Sequence, residues 1–456
     1  MSSYQNDAPQ EELYTKSVSG TNYIILNRPK ALNSLTTPML TGIGSYLQKW
    51  ESDSTCKNII IKSSSKKAFC AGGDVVHLVK NNIVSDIKGL FFFVDEYSIN
   101  HVMAVTKKPV IAIIDGITMG GGVGASVHFS FRVATENTLL AMPETLIGLF
   151  PDVGATFFLP RLGSELGTYL GLTGTRLVGK DVFYSGFATH YVNSKNIPAL
   201  EKDLANVLSD SLDETNSILE KYAELGPGDY KDSIDYSIAP ILQSIERCFK
   251  YNTVESIFAA LSNETDQKAW AEQTLVTLKK MSPSSLKISL EAFRRGKDLT
   301  IKQCLDMEAQ IAWKIIQTND FREGVSELLI TKTKKPKFSP NTIYNVDQEL
   351  TISKYFIDVD SRFNPKFISE IDFYQYPHKK YTLPNQSDIN EYINSFVSIN
   401  RSSEHEINAA KELIVNHFDT LYNHKAGVKE IVWLILSQIL LNETANTQNN
   451  SRQSKL

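Results

Sequence analysis

Hydrophobic and polar positions change rhythm several times along the chain, and each rhythm predicts an element. Residues 22–27, Asn-Tyr-Ile-Ile-Leu-Asn, alternate poorly but are rich in β-branched side chains, which predicts a strand. Residues 37–52 place Met39, Leu40, Ile43, Tyr46, Leu47 and Trp50 at helical spacing. A second strand is predicted over 57–64. A third, over 109–116, is almost wholly apolar, as a strand covered on both faces would be. Residues 131–144 suggest two more short strands. Strands and helices therefore alternate through residues 20–145, which makes this half α/β. From about residue 155 the pattern turns helical. Residues 161–174 carry apolar side chains at 162, 166, 169, 170 and 172 and end on Gly174. Further helical segments fill 240–330, followed by a basic, proline-punctuated loop at 332–340. A Tyr-Pro-rich loop at 372–385 precedes two or three helices. The longest apolar run, 431–441, is too short to span a bilayer and is broken by Ser437 and Gln438, so a buried or partner-facing helix is expected there. No internal repeat is visible.

Composition narrows the class without naming it. The 456 residues carry a net charge of -4, which disfavours DNA or another polyanion as partner but leaves room for a small anionic ligand. Cys56, Cys70, Cys248 and Cys304 form no Cys-x-x-Cys pair, so neither a zinc site nor a disulfide framework is expected. The first thirteen residues have no apolar core and no arginine, but contain Asp7, Glu11 and Glu12, the opposite of a mitochondrial presequence. The chain ends Ser454-Lys455-Leu456, the tripeptide of the peroxisomal address, behind a polar stretch that would present it to an import receptor. The expected location is therefore the peroxisome, with the mitochondrion as alternative.

Three stretches carry candidate chemistry. Residues 69–74, Phe-Cys-Ala-Gly-Gly-Asp, and 119–124, Met-Gly-Gly-Gly-Val-Gly, each follow a strand and precede a helical pattern. Such turns leave backbone N–H groups free at a helix start, where they suit an oxyanion. Two of them facing one another could grip a carbonyl oxygen as it turns negative, each donor being worth about 3 kcal/mol in the transition state. Residues 141–163 set Glu144 and Asp152 among Met142, Pro143, Ile147, Leu149 and Phe150. A carboxylate in such company is desolvated and its pKa rises, which suits acid, base or nucleophile chemistry. The plainer alternatives are a helix-start carboxylate at Glu144 and an N-cap at Asp152.

Taken together, Leu-Asn-Arg-Pro-Lys-Ala-Leu-Asn-Ser-Leu (26–35), the two glycine-rich blocks, residues 131–163 and residues 320–340 resemble the crotonase superfamily in order and spacing, over roughly residues 20–340. Within it they most resemble the 3-hydroxyisobutyryl-CoA hydrolase branch, in its longer fungal type. The resemblance implies a crotonase-type spiral of repeated ββα units over 12–200, a helical part completing the hydrolase domain over 201–357, and a C-terminal extension over 358–456. It implies hydrolysis of a short 3-hydroxyacyl-CoA thioester. Gly73 and Gly121 would be the oxyanion donors, Glu144 and Asp152 catalytic, and Glu96 substrate-binding. One of the two hydratase glutamates is replaced here by Gly124. No metal or cofactor is implied, CoA entering as part of the substrate, and an oligomer is left open. An enoyl-CoA isomerase and a non-catalytic assembly protein, for instance in a mitochondrial ribosome, are the rival expectations.

Overall fold

The computed structural model describes residues 11–83, 87–225, 229–231, 234–396 and 404–439. It opens with a hairpin of β1 (Leu13–Val18) and β2 (Thr21–Leu26). Ser19 and Gly20 both take positive φ, 51° and 91°, the backbone that lets a two-residue turn follow the twist of its strands. β2 then pairs in parallel with β3 (Asn58–Ser63), followed in the sheet by β5 (Val110–Ile113), β7 (Phe131–Ala134) and β10 (His190–Tyr191). A second sheet has the order β4 (Ala68–Cys70), β6 (Ile117–Met119), β8 (Leu139–Ala141) and β9 (Leu177–Val178). The chain thus visits the first sheet, then the second, then a helix, and repeats the circuit. After β4 come α2 (Val75–Lys80) and α3 (Ile87–Val105), and after β6 comes α4 (Gly121–Val127). Between β2 and β3 lies α1 (Thr37–Glu51), which packs on α3. This is the α/β spiral of ββα units that the resemblance implies.

The poor alternation of the central strands has a physical cause. Side chains of one strand feed two separate cores: Ile24, Leu26, Ile59, Ile61, Val110 and Ala112 join one, while Tyr23, Ile25, Ile60, Ile111 and Ile113 join the other. Both faces of the sheet are covered, so both sets must be apolar. The strands that the pattern missed are the polar edge strand β1, exposed along most of its length, and strands of two or three residues, too short to show a period.

Helices make up most of the chain beyond β8, among them 166–173, 283–296 and 301–315. The C-terminal segment adds helices at 386–396, 404–421 and 428–439. Its buried side chains Ile414, Val415, Phe418, Val432 and Leu436 join the same apolar cluster as Ile24 and Leu26. The apolar run near the C-terminus is therefore a buried helix as far as residue 439. Among the described residues no helix is long and apolar enough to cross a membrane. Ser454, Lys455 and Leu456 lie outside the described residues.

Candidate active site

The two glycine-rich turns meet. One joins β4 to α2 and the other joins β6 to α4, and β4 and β6 are parallel neighbours in one sheet. A Cβ placed on Gly121 would lie 3.0 Å from the backbone nitrogen of Gly73. The loop bearing Gly73 is fixed on either side of it, by Leu35 N donating to Gly72 O (2.8 Å) and Asp74 N donating to Leu35 O (3.0 Å). Buried Asn33, from the first block of the resemblance, donates from Nδ2 to Phe69 O at 2.9 Å and so ties the preceding strand down.

The three consecutive glycines are small for three different reasons. Gly120 has φ 50° and ψ −119°, and a Cβ there would meet Glu144 Oε1 at 2.4 Å. At Gly121 the obstacle would be Glu96 Oε1, at 2.7 Å. At Gly122 it would be the carbonyl oxygen of Cys70, at 2.1 Å. Only the middle glycine lies between the Gly73 loop and a carboxyl oxygen without a partner, Glu96 Oε1. Gly122 serves close packing of α4 on β4.

Around this point stand three buried carboxyls. Glu144 begins a 3₁₀ turn, Glu144–Ile147, and is 5% exposed; its Oε2 has no hydrogen-bond partner. Glu96, on α3, is equally buried, and its Oε1 is also unpartnered. Asp152 accepts at Oδ2 from the Tyr97 hydroxyl at 2.7 Å. Burial and the Asp152 charge hold the carboxyls of Glu144 and Glu96 well above the usual range. Burial lifts Asp152 to about 7, against the pull of the Tyr97 hydroxyl and its own backbone N–H. The geometry thus brings Gly73, Gly121, Glu96, Glu144 and Asp152 into one region and excludes the N-cap alternative for Asp152. The helix after it, 155–158, has Gly154 at its N-cap and no side-chain cap from its own sequence.

A second layer escaped the sequence reading. Glu308, fully buried on helix 301–315, accepts from Gly154 N (2.7 Å), Thr156 N (2.9 Å) and Thr156 Oγ1 (2.6 Å). It supplies the cap that Asp152 does not, and burial lifts its carboxyl to about 8. Its signal was present in the sequence, since it falls in phase with Cys304, Leu305, Ile311 and Ala312 on the apolar face of its helix. His128 lies behind the same turn, with Nε2 2.8 Å from Val153 O. Val153 itself has φ 54°, a genuine outlier for a β-branched residue. Its side chain fills the space beside Gly124, where a Cβ would come within 2.6 Å of Val153 Cβ.

Comparisons with known proteins agree with this fold. A family profile described as enoyl-CoA hydratase/isomerase matches residues 21–356. The small ribosomal subunit protein mS47 of Neurospora crassa is 37% identical over 454 residues, covering 95% of this chain and 86% of its own length. The mitochondrial 3-hydroxyisobutyryl-CoA hydrolase of Danio rerio is 42% identical over 355 residues, covering 78% of this chain and 91% of its own. A crystal structure of a carnitinyl-CoA dehydratase from Mycobacterium thermoresistibile superposes with a TM-score of 0.71 at 31% identity, covering 79% of this chain and all of that one. These findings correct one expectation. The hydrolase relative is mitochondrial by name, and nothing among the relatives supports a peroxisomal import receptor. A three-residue terminal match carries far less information than an alignment of several hundred residues, and the peroxisomal location is withdrawn. The match over residues 21–356, with the stacked ββα circuit and the paired glycine turns, shows that the chain belongs to the enoyl-CoA hydratase/isomerase family, the crotonase superfamily.

Proposed function

We propose that this chain hydrolyses the thioester of short 3-hydroxyacyl-CoA molecules, with 3-hydroxyisobutyryl-CoA the foremost substrate. The observation that carries the reading is the convergence at one point of Gly73, Gly121 and buried Glu144, whose Oε2 has no hydrogen-bond partner. The N–H groups of Gly73 and Gly121 hold the thioester oxygen as negative charge develops on it. Glu144, once ionised, takes a proton from a water that adds to the carbonyl carbon. The C–S bond then breaks, and the departing CoA thiolate takes up that proton. Direct attack by the Glu144 carboxylate, giving an acyl-enzyme that water later opens, uses the same geometry. Trapping with labelled substrate separates the two routes. Glu96 adjoins both glycines and contacts the bound acyl group. Asp152 meets the 3-hydroxyl or helps to position Glu144. The name of the hydrolase relative supports action in the mitochondrion, and the reading places the chain in valine breakdown or a related short-chain route.

The test is release of free thiol from a panel of short acyl-CoA thioesters with and without the 3-hydroxyl. Preference for 3-hydroxyisobutyryl-CoA over isobutyryl-CoA is expected. Equal rates on both, or double-bond migration in an enoyl-CoA without thiol release, would remove the hydrolase reading. A second reading, as a component of a small ribosomal subunit, is favoured by one observation. The Neurospora crassa protein covers 95% of this chain, whereas the hydrolase covers 78%. Co-sedimentation with small subunits through high salt would support that role, which is compatible with hydrolysis.

A further inference from the structure

We propose that the C-terminal segment is part of this site, and that Tyr376 is a positioning residue for Asp152, acting through His128 and the carbonyl of Val153. The inference rests on the proposed function above. The family match ends at residue 356, so Tyr376 lies beyond it.

The argument starts from the bend Asp152-Val153-Gly154. A β-branched residue at φ 54° does not hold that conformation unaided; its surroundings must impose it. Glu308 holds Gly154 N, Tyr97 holds the Asp152 carboxyl, and Gly124 leaves room for the Val153 side chain. The remaining hold is on the Val153 carbonyl, which accepts from His128 Nε2 at 2.8 Å.

That bond dictates the tautomer. A carbonyl oxygen only accepts, so Nε2 carries the hydrogen. His128 is fully buried, and burial pushes its pKa down to about 4, so the ring carries no second proton at neutral pH. Nδ1 is therefore an acceptor, and the Tyr376 hydroxyl, 2.7 Å away, donates to it. Tyr376 thus satisfies the buried Nδ1 and holds the ring in the orientation from which Nε2 donates to Val153. Without it, Nδ1 is buried with no donor, and the ring is drawn away from the Val153 carbonyl to find one.

The tyrosine is itself anchored. Its ring meets Phe157 edge-on at 5.0 Å and stacks on His378 at 5.1 Å. Arg161 Nε donates to Tyr374 O at 2.8 Å, Ile301 N donates to Phe373 O at 3.0 Å, and Asn385 Nδ2 donates to Arg161 O at 3.2 Å. Farther along, buried Lys425 donates to Glu220 Oε1 at 2.6 Å, a clasp between the extension and helix 212–222. The loop is seated on the spiral on both sides of Tyr376.

Tyr376→Phe in the full chain keeps the ring and removes only the donor. Hydrolysis of 3-hydroxyisobutyryl-CoA is expected to lose about fivefold in kcat, roughly one buried hydrogen bond, with KM within about twofold. The pH midpoint of kcat is expected to fall by about half a unit as a loosened Asp152 regains water. Glu96, Glu144, Tyr97 and Glu308 face that carboxyl and stay unchanged. Trp433→Phe, remote in the same segment, is the control: it should lower Tm without moving kcat or the pH midpoint. The preference in Kd for 3-hydroxyisobutyryl-CoA over isobutyryl-CoA, measured in a Glu144→Gln background, should narrow when Tyr376→Phe is added. Wild-type kcat, pH midpoint and hydroxyl preference in Tyr376→Phe would overturn the relay, as would an equal effect of Trp433→Phe. A wild-type protein that binds these thioesters but hydrolyses none would overturn the proposed function alone, the binding preference then deciding the relay. A wild-type protein that binds none would overturn both.

Discussion

Asp152→Asn should make the protein more stable at pH 8 while disabling it. The aspartate is 4% exposed, and burial lifts its pKa from 3.8 to about 7. A carboxyl that holds its proton more tightly in the fold than in the open chain opposes folding once the pH exceeds both values. Between the two values the folded protein binds a proton that the unfolded chain has released, so stability falls as pH rises. Above pH 7 the accumulated cost is about 4 kcal/mol. The substituted amide has no charge to desolvate, and its oxygen can still accept from Tyr97. Its NH₂ group, however, cannot accept the aspartate's own backbone N–H, a loss of about 1 kcal/mol. A net gain of about 3 kcal/mol is expected at pH 8, shrinking through pH 6 and absent near pH 4. Urea unfolding of both proteins at the three pH values measures it. Turnover should fall at the same time, and the acidic limb of any residual pH–rate profile should move to lower pH, because Glu144 and Glu96 lose a like-charged neighbour. A variant less stable than wild type at pH 8, or a gain as large at pH 4 as at pH 8, would refute the electrostatic reasoning.

Other expectations follow from single contacts. Glu144→Gln keeps shape and removes the charge, and kcat should fall at least about 100-fold with the urea midpoint unchanged or raised. Gly121→Ala sets a methyl 2.7 Å from Glu96 Oε1 and 3.0 Å from Gly73 N. It should cost about 100-fold or more in kcat, checked beside near-UV circular dichroism to show that the fold persists. Glu220→Gln leaves Lys425, 3% exposed at its side chain, without its carboxylate. It should destabilise by about 3 kcal/mol or more in urea, with the first loss of structure in the C-terminal helices by hydrogen exchange.

How much of this was legible in the sequence depends on the range of the interaction. The strands and α1 were readable because their apolar positions are consecutive or helically spaced, and a local pattern reports burial directly. Gly73 and Gly121 were readable as turn residues, but not as neighbours. That follows only from the parallel pairing of β4 with β6. Glu144 and Asp152 stood out as charges among apolar residues, and burial bears that out. The support behind them was not visible as a set. Glu308 lies about 150 positions from the bend it caps, and Tyr376 lies 248 from His128. A buried acid on an apolar helix face can be noticed in a sequence, but its partner cannot be assigned without the fold. The terminal Ser-Lys-Leu misled because a three-residue match to an address motif carries little information, and nothing that the rest of the chain packs bears on it.

The resemblance implies a hydratase glutamate at the position of Gly124, and the packing on both sides of Gly124 says why no such side chain stands here. A carboxylate at position 124 would need the volume that Val153 occupies. Val153 occupies it because the bend that carries Asp152 passes directly over α4, with the backbone forced to positive φ at that residue. The absence of a side chain at position 124 and the placement of Asp152 are therefore one structural event. The bend cannot lie there over a side chain, and Asp152 cannot reach Tyr97 without the bend. The same bend needs a cap at Gly154 and a donor for the Val153 carbonyl, and helix 301–315 and His128 supply them. His128 in turn takes its donor from beyond the family match. Each step places the next polar group farther from the reacting centre, and the last of them, Tyr376, lies beyond residue 356, where the family match ends. On this reasoning, grafting Asp152 alone onto a hydratase that keeps its glutamate at the Gly124 position would not build the site. The bend and its supports must be transferred together.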